Sequence, residues 1–458
     1  MFNIDNLQKN AHIHFIGIGG ISMSGIAQIM LDHGYTVSGS DRDDSNIVDK
    51  LRSLGANVYK GHEACNVEGA DLIVYTAAIK PDNPEYARAT ELGIPMIDRA
   101  ECLGQVMRKY THAVGVAGTH GKTTTTSMLT HALVYADVDP TISVGGELDL
   151  IDGNIRIGGL DYFVTEACEY TNSFLKFYPS IAVITNVEED HLDFFKDLDD
   201  IKNSFTAYAK LTEPNGYVIA CGDDANVLDV VRGVNSNVIT YGLNSELDYH
   251  PLNINYVGGY PEFDVESNGN VVCHIKLNVP GNHNIINALA SIAVAQVLGI
   301  DANTAARGIE TFKGTKRRFE KKGEINGASV IDDYAHHPTE IKATLTATRK
   351  MPHNKIRCIF QPHTYSRTRT LWNEFLEAFS EADELILTDI YAAREVFDGV
   401  TTSESLATAI KEKTGADVKY IGPFEEIGAY IKSVASDGDI IFTMGAGTVT
   451  QLDKYILK

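Results

Sequence analysis

From residue 12 the chain alternates short apolar runs with stretches of helical spacing. HIHFIGIGG is an apolar run closing on glycines, SGIAQIMLDHG follows with a 3.6-residue period, and TVSGSD is a second short strand ending in an acid. ANVYKG, ADLIVYTAAI and IPMID continue the alternation, so residues 1–110 predict a doubly wound parallel sheet. A second series opens with HAVGVAG, a strand running into GTHGKTTTT, with TTTTSMLTHALVYA as the helix behind it. DYFVTEA, SIAVITNV, GYVIACGDD and NVITYG extend that sheet. Over 247–279 the pattern shifts to short alternating segments with turn residues, NINYVGG and SNGNVVCHIKLNV, which predict an antiparallel patch, and an Ala- and Ile-rich helix over 284–298 closes the lobe. After 314–319, ASVIDDYAHHP, KIRCIFQPH, DELILTDI and DGDIIFTMGAG each present a strand followed by helical sequence. The expected organisation is α/β in three domains, 1–110, 111–316 and 317–458.

Composition narrows the function classes. With 44% hydrophobic and 22% charged residues in 458, and no apolar run near the ~20 residues of a membrane span, the chain reads as globular with no membrane partner. Its start, MFNIDNLQKNAHIHFIG, lacks the features of a secretion leader, so the expected compartment is the cytoplasm. The six cysteines include no C-x-x-C pair and read as reduced thiols rather than a zinc site. A net charge of -22 argues against a nucleic-acid surface, which needs a basic stripe. A phosphate ligand must therefore be held locally, by backbone N–H groups and helix starts.

Two glycine-rich loops offer such seats. In the first, Gly17, Gly19 and Gly20 stand between strand and helix, and Asp41 closes the next strand at the distance of a ribose-binding acid. The dinucleotide fingerprint breaks at its sixth position, Ser22, with the third glycine delayed to Gly25. A diphosphate at this helix start is the favoured reading over a nicotinamide cofactor or a plain tight turn. In the second, Gly118, Gly121, Lys122 and Thr123 supply the ingredients of a triphosphate loop, although Val116 stands where the strict motif has glycine. The next two strands end in EACEY, with Glu166 and Glu169, and in TNVEEDHLD. Strand ends in an open parallel sheet share one crevice, so Glu166 and His191 can meet Thr123 around a metal ion; His191 as an ordinary histidine is the alternative.

With GNHNIINALAS, RRFE, DDYAHHPTEI and FQPHTYSRT added in this order to the loops above, the sequence resembles the Mur ligase superfamily over nearly its whole length. GIGGISMSGIA, DDYAHHP and FQPHTYSRT point to the alanine-adding branch. The resemblance implies Rossmann-like terminal domains around a central P-loop ATPase-like domain. It also implies an ATP-dependent amide bond between the lactoyl carboxylate of UDP-N-acetylmuramate and L-alanine through an acyl phosphate, in peptidoglycan precursor synthesis. Gly17, Gly19, Gly20, Ser22, Asp41 and Thr76 would then bind the UDP-sugar, and Gly118, Thr119, His120, Gly121, Lys122, Thr123 and Thr124 the ATP phosphates. Thr123, Glu166 and His191 would hold Mg²⁺, Asn284 and Asn287 would face adenine, Asp333 the ribose, and Arg318 the phosphates. His336, His363 and Arg367 would lie near the amino acid or the muramoyl carboxylate, completing with Lys122 and Arg318 the catalytic set.

Three departures stand out. YTAAI leaves only Thr76 where relatives often carry two serines; no lysine occupies the place near Phe205 where some branches carry a carbamylated one; and His336 and His337 are adjacent, so their roles are open. The rival readings are a ligase that attaches an intact tripeptide to the same nucleotide, and an NAD-dependent dehydrogenase.

Overall fold

The computed structural model describes residues 3–76, 78–192, 194–212 and 214–457; Ala77 of YTAAI and Asp193 of TNVEEDHLD fall outside them. The chain forms two compact units, Met1–Tyr241 with Ala290–Ala305, and Gly242–Leu289 with Ala306–Lys458.

The first unit begins with strands β1 (His12–Ile16), β2 (Thr36–Asp41), β3 (Asn57–Lys60), β4 (Leu72–Tyr75) and β5 (Met96–Asp98). All pair in parallel in the order β3-β2-β1-β4-β5, which reverses direction at β1. The crevice at such a reversal lies beyond the strand ends, where Gly17 to Gly20 follow β1 and Thr76 follows β4. Ile13 and Phe15 bury one face of β1 completely. On the other face a polar network is sealed in. Glu85, on the helix Pro84–Leu92, has no exposure and accepts from Ser40 Oγ (2.5 Å) and Asn66 Nδ2 (2.6 Å), with His62 Nδ1 at 3.0 Å and His14 Nε2 at 3.7 Å.

Burial pulls the Glu85 pKa upward, but the hydrogen bonds of His14, Ser40 and Asn66 outweigh it and hold the carboxyl below its usual value. A folded pKa below the unfolded one stabilises the protein above the unfolded value and loses that contribution as pH falls through the folded one. Glu85→Leu, which strands the surrounding donors, is expected to cost about 3 kcal/mol at pH 7. The gap from wild type should narrow by pH 4, and calorimetric unfolding at the two pH values measures it.

The same unit continues with β6 (His112–Ala117), β7 (Thr141–Leu148), β8 (Gly153–Arg156), β9 (Tyr162–Glu166), β10 (Ile181–Ile184), β11 (Tyr217–Cys221) and β12 (Asn237–Tyr241), in the order β12-β11-β10-β6-β9-β7-β8. Every pairing here is parallel except β7 with β8. The β7–β8 hairpin is not apparent in the sequence, because Gly145, Gly146 and polar residues interrupt its apolar run and the register shifts between Ser143 and Leu148. β6 lies between β9 and β10, so the loop after β6, Glu166 at the end of β9 and Thr185–Asn186 after β10 share one edge. Phe205, at the place of the absent lysine, is fully buried with its ring 5.2 Å from Phe174.

In the second unit, β13 (Tyr249–Val257), β14 (Tyr260–Ser267) and β15 (Asn270–Lys276) form the expected antiparallel patch. The helix Asn282–Val297, which belongs to this unit up to Leu289 and to the first from Ala290, starts two residues ahead of the expected span. A six-stranded sheet follows: β16 (Glu320–Ile325), β17 (Ala328–Asp333), β18 (Ile356–Phe360), β19 (Glu384–Leu387), β20 (Val418–Tyr420) and β21 (Ile440–Met444), ordered β16-β17-β21-β18-β19-β20. Only β16 runs antiparallel. Its sequence, EKKGEI, carries the charge of a protected sheet edge and no strand alternation, which is why the pattern does not reveal it. The fold is thus α/β throughout: an amino-terminal doubly wound sheet, a central mainly parallel sheet with an antiparallel patch, and a carboxy-terminal α/β sheet. Among the described residues no helix is long and apolar enough to cross a membrane.

Candidate active site

At the first loop, Gly17 has φ +85, and a Cβ there would stand 3.0 Å from Thr76 Cγ2, so glycine brings the two strand ends together. The Gly19 N–H donates to Asp41 Oδ2 at 2.8 Å. Asp41 therefore braces the loop. Gly25 explains the broken fingerprint: its Cβ position faces Ile155 of β8 at 3.4 Å rather than a strand of its own sheet. Ser22, in the first turn of the helix Ile21–Asp32, accepts a hydrogen bond from Arg99 Nη1 at 2.8 Å.

The second loop is stapled from the side. Thr119 N–H donates to Asn186 O (3.1 Å), His120 N–H to Asn186 Oδ1 (2.7 Å), and Asn186 Nδ2 returns to His120 O (3.0 Å). Gly118, at φ +143, leaves no room for a side chain, since a Cβ would lie 1.9 Å from Thr185 Oγ1. Gly121, at φ +81, caps the helix Lys122–Tyr135, which carries Lys122, Thr123 and Thr124 in its first turn with no acid among them. Orphan N–H groups and the dipole at that end favour an anion.

Lys122 Nζ donates to both Glu169 oxygens, at 2.9 and 3.2 Å, and to the Gly118 and Thr119 carbonyls. Burial pushes its pKa down, but Glu169, aided by Cys168 and Glu166, prevails and holds it above the ordinary lysine value. Thr123 Oγ1 donates to Glu166 Oε2 at 3.1 Å, and Gly145 N–H to Glu166 Oε1 at 2.5 Å. His191, in left-handed backbone at φ +53, sets Nε2 3.7 Å from Glu169 Oε1 and 3.8 Å from Asp190 Oδ2, with its ring 4.6 Å from Tyr170. Lys122, Thr123, Glu166 and His191 are thus brought together. The donor set is rich in carboxylate and hydroxyl oxygen, which suits a hard divalent cation. Gly145 shapes its wall, because a Cβ there would meet Glu166 Oε2 at 2.6 Å.

In the second unit, Asn284 and Asn287 are buried; Asn284 Nδ2 donates to Pro280 O (2.7 Å) and Asn287 Nδ2 to Asn284 Oδ1 (3.2 Å). The adjacent arginines part company. Arg317 turns inward, with Nε 3.3 Å from the buried Asp332 and Nη2 on Gly445 O (2.7 Å) and Gly447 O (3.2 Å). Arg318 pairs with Glu340 at 3.4 Å and lies 5.2 Å from the Tyr334 ring. Asp333 accepts from Phe319 N–H (3.0 Å) and Ala335 N–H (2.8 Å), yet burial dominates and its pKa is pushed up to about 6.

The histidine pair separates too. His337 is the N-cap of the helix Pro338–Arg349, in a capping box with Glu340. His336 turns its ring toward His363, 5.9 Å away, and His363 Nδ1 is 3.1 Å from Arg367 Nη1. Arg318, Glu340, His336, His363 and Arg367 form one chain of contacts. Thr364, β-branched at φ +65, introduces the helix Tyr365–Thr370 beside it, a strained backbone of the kind that accumulates at functional sites. The sequence places Glu169 near the metal but not on Lys122, includes Asn186 in TNVEEDHLD without a role, and gives no role to Gly145 or Arg99. Of these only the glycine pair of SVGGEL carried a signal, as an interruption in an apolar run.

Three family models match the chain in order: Mur ligase family, catalytic domain, over residues 12–111; Mur ligase middle domain, over 116–295; and Mur ligase, glutamate ligase domain, over 317–447. A UDP-N-acetylmuramate--L-alanine ligase of Caldanaerobacter subterraneus subsp. tengcongensis is 52% identical over 454 residues, 99% of this chain and 98% of that protein. One from Alkaliphilus metalliredigens is 52% identical over 457 residues, 100% and 99% of the two chains. Among solved structures, the UDP-N-acetylmuramate-alanine ligase of Thermotoga maritima superposes with a TM-score of 0.79 at 30% identity, covering 97% of this chain and 98% of that one. A murein peptide ligase from Psychrobacter arcticus does so at 0.69 and 25% identity, with 98% of each covered.

Proposed function

The chain belongs to the Mur ligase family, and from that membership we propose that it is a cytoplasmic, ATP- and Mg²⁺-dependent ligase joining L-alanine to the lactoyl carboxylate of UDP-N-acetylmuramate in peptidoglycan precursor synthesis. Full-length identity of 52% to ligases of that name carries the substrate assignment. The convergence of Lys122, Thr123 and Glu166 at the second loop supports the chemistry. Neither rival reading is favoured: the murein peptide ligase neighbour superposes less well than the alanine ligase, and the first loop lacks the dinucleotide fingerprint. The domain limits 1–110, 111–316 and 317–458 are part of the proposal.

A carboxylate resists attack by an amine because the anion repels the nucleophile and its leaving group is poor. Transfer of the ATP γ-phosphoryl group to that carboxylate gives an acyl phosphate and ADP. The alanine amine then adds to the carbonyl, loses a proton, and expels phosphate from the tetrahedral intermediate. The protein positions the reactants and neutralises charge. Lys122 and the N–H groups at the start of Lys122–Tyr135 face the ATP phosphates, while Arg318 supplies a second cation. His363 and Arg367 present donors to the alanine carboxylate, and His336 stands beside them to accept the amine proton. Thr123, Glu166 and His191 would hold Mg²⁺, which when bound screens phosphate charge. Asn284 and Asn287 face adenine and Asp333 the ribose; Gly17 to Gly20, Ser22, Asp41 and Thr76 surround the UDP-sugar.

Mass spectrometry after offering ATP, Mg²⁺, UDP-N-acetylmuramate, a mixture of amino acids and the tripeptide tests the assignment. The expected product is the L-alanyl nucleotide; a tripeptide adduct, or none, contradicts it. Gly145→Ala, which forces Glu166 aside, should raise the Mg²⁺ concentration for half-maximal activity about tenfold, as read from a metal titration.

A further inference from the structure

Arg99 occupies a place where a cation is at a disadvantage. It is the first residue of the helix Arg99–Met107, at the positive end of the helix dipole. The neighbouring acid does not serve it: Asp98 caps the Ala100 and Glu101 N–H groups at 2.9 and 3.0 Å and binds Lys176. Among the described residues no carboxylate pairs with the Arg99 guanidinium, and its one hydrogen bond runs from Nη1 to Ser22 Oγ. The side chain is half-buried, so water offsets its charge only in part. A guanidinium carries five N–H donors, and this contact uses one of them.

The other end of that contact gives the residue its meaning. Ser22 lies in the first turn of Ile21–Asp32, at the end whose N–H groups lack intrahelical partners. The loop IGIGGISMSG contains neither lysine nor arginine, and YTAAI offers Thr76 as its one hydroxyl besides Tyr75. In a chain of net charge -22, a diphosphate at this loop would meet backbone donors, the Ser22 and Thr76 hydroxyls and roughly half a unit of helix-end charge, but no cationic side chain from the loop itself. Arg99 supplies the missing full charge.

We propose that Arg99 is the cation that binds the diphosphate of the muramate nucleotide, releasing Ser22 or sharing it when the ligand arrives. The proposal rests on the ligase reading and adds to it the residue that anchors the acceptor substrate. It also accounts for a first loop that holds a doubly charged group without a cation of its own.

Isothermal titration of wild type, Arg99→Met and Arg99→Lys with UDP and with UDP-N-acetylmuramate, in the absence of ATP, tests the assignment. A lost charge-assisted contact should weaken both ligands in Arg99→Met by a common factor of about tenfold or more. Arg99→Lys should recover part of the loss, and ATP affinity should stay within about twofold of wild type. Unchanged affinity of Arg99→Met for UDP-N-acetylmuramate overturns the proposal. So does a loss confined to UDP-N-acetylmuramate with UDP unaffected, which would move Arg99 to the lactoyl carboxylate. If wild type binds neither nucleotide, the ligase reading falls and this assignment with it.

Discussion

Lys122→Ala should lower ligation about a thousandfold or more, measured as phosphate release that requires both UDP-N-acetylmuramate and L-alanine. The lysine sits at the start of a helix aimed at an anion, with little water to screen its charge, and Glu169 keeps it protonated. The same pair complicates the reading, because removing Lys122 leaves Glu169 buried and unbalanced, which destabilises the protein as well. The double variant Lys122→Met with Glu169→Met separates the two effects. It should regain most of the melting temperature and none of the activity. Full turnover by either variant contradicts the role given to the loop.

The adjacent arginines should behave in opposite ways. Arg318→Ala is expected to reduce kcat about a hundredfold with little change in melting temperature, because its partner Glu340 keeps the His336 and His337 N–H groups as donors. Arg317→Ala should do the reverse, costing about 2 kcal/mol of stability. It removes the cation beside buried Asp332 and the donor to the Gly445 and Gly447 carbonyls. Steady-state kinetics and calorimetry on the two variants distinguish these outcomes, and equal effects on both measures would remove the distinction.

What the sequence made legible was local. Strand–loop–helix order identified both glycine loops, because a tight turn at a helix start leaves a mark within a few residues. It also located the strands of three successive sheets along the chain, apart from the short Val418–Tyr420 and two hairpins whose strands lack alternation: Thr141–Leu148 with Gly153–Arg156, and the charged edge Glu320–Ile325. The roles of His336 and His337 were open on composition alone, yet H-P-T-E carries an N-terminal signature, with proline at the first helical position and glutamate at the third. That spacing points to His337 as the cap. Arg99 had no such mark, and TNVEEDHLD marked Asn186 without showing its partner. Their partners, Ser22 and the Thr119–His120 backbone, are 77 and about 66 residues away, and only the folded register brings them close.

In the proposed reaction, phosphoryl transfer from ATP to the acceptor carboxylate precedes the amide bond. Labelling both lactoyl carboxylate oxygens of UDP-N-acetylmuramate with ¹⁸O and analysing the phosphate released with each amide tests this directly. An acyl phosphate carries one carboxylate oxygen away, so the account predicts one ¹⁸O atom in every phosphate. Unlabelled phosphate accompanying the L-alanyl product would contradict it.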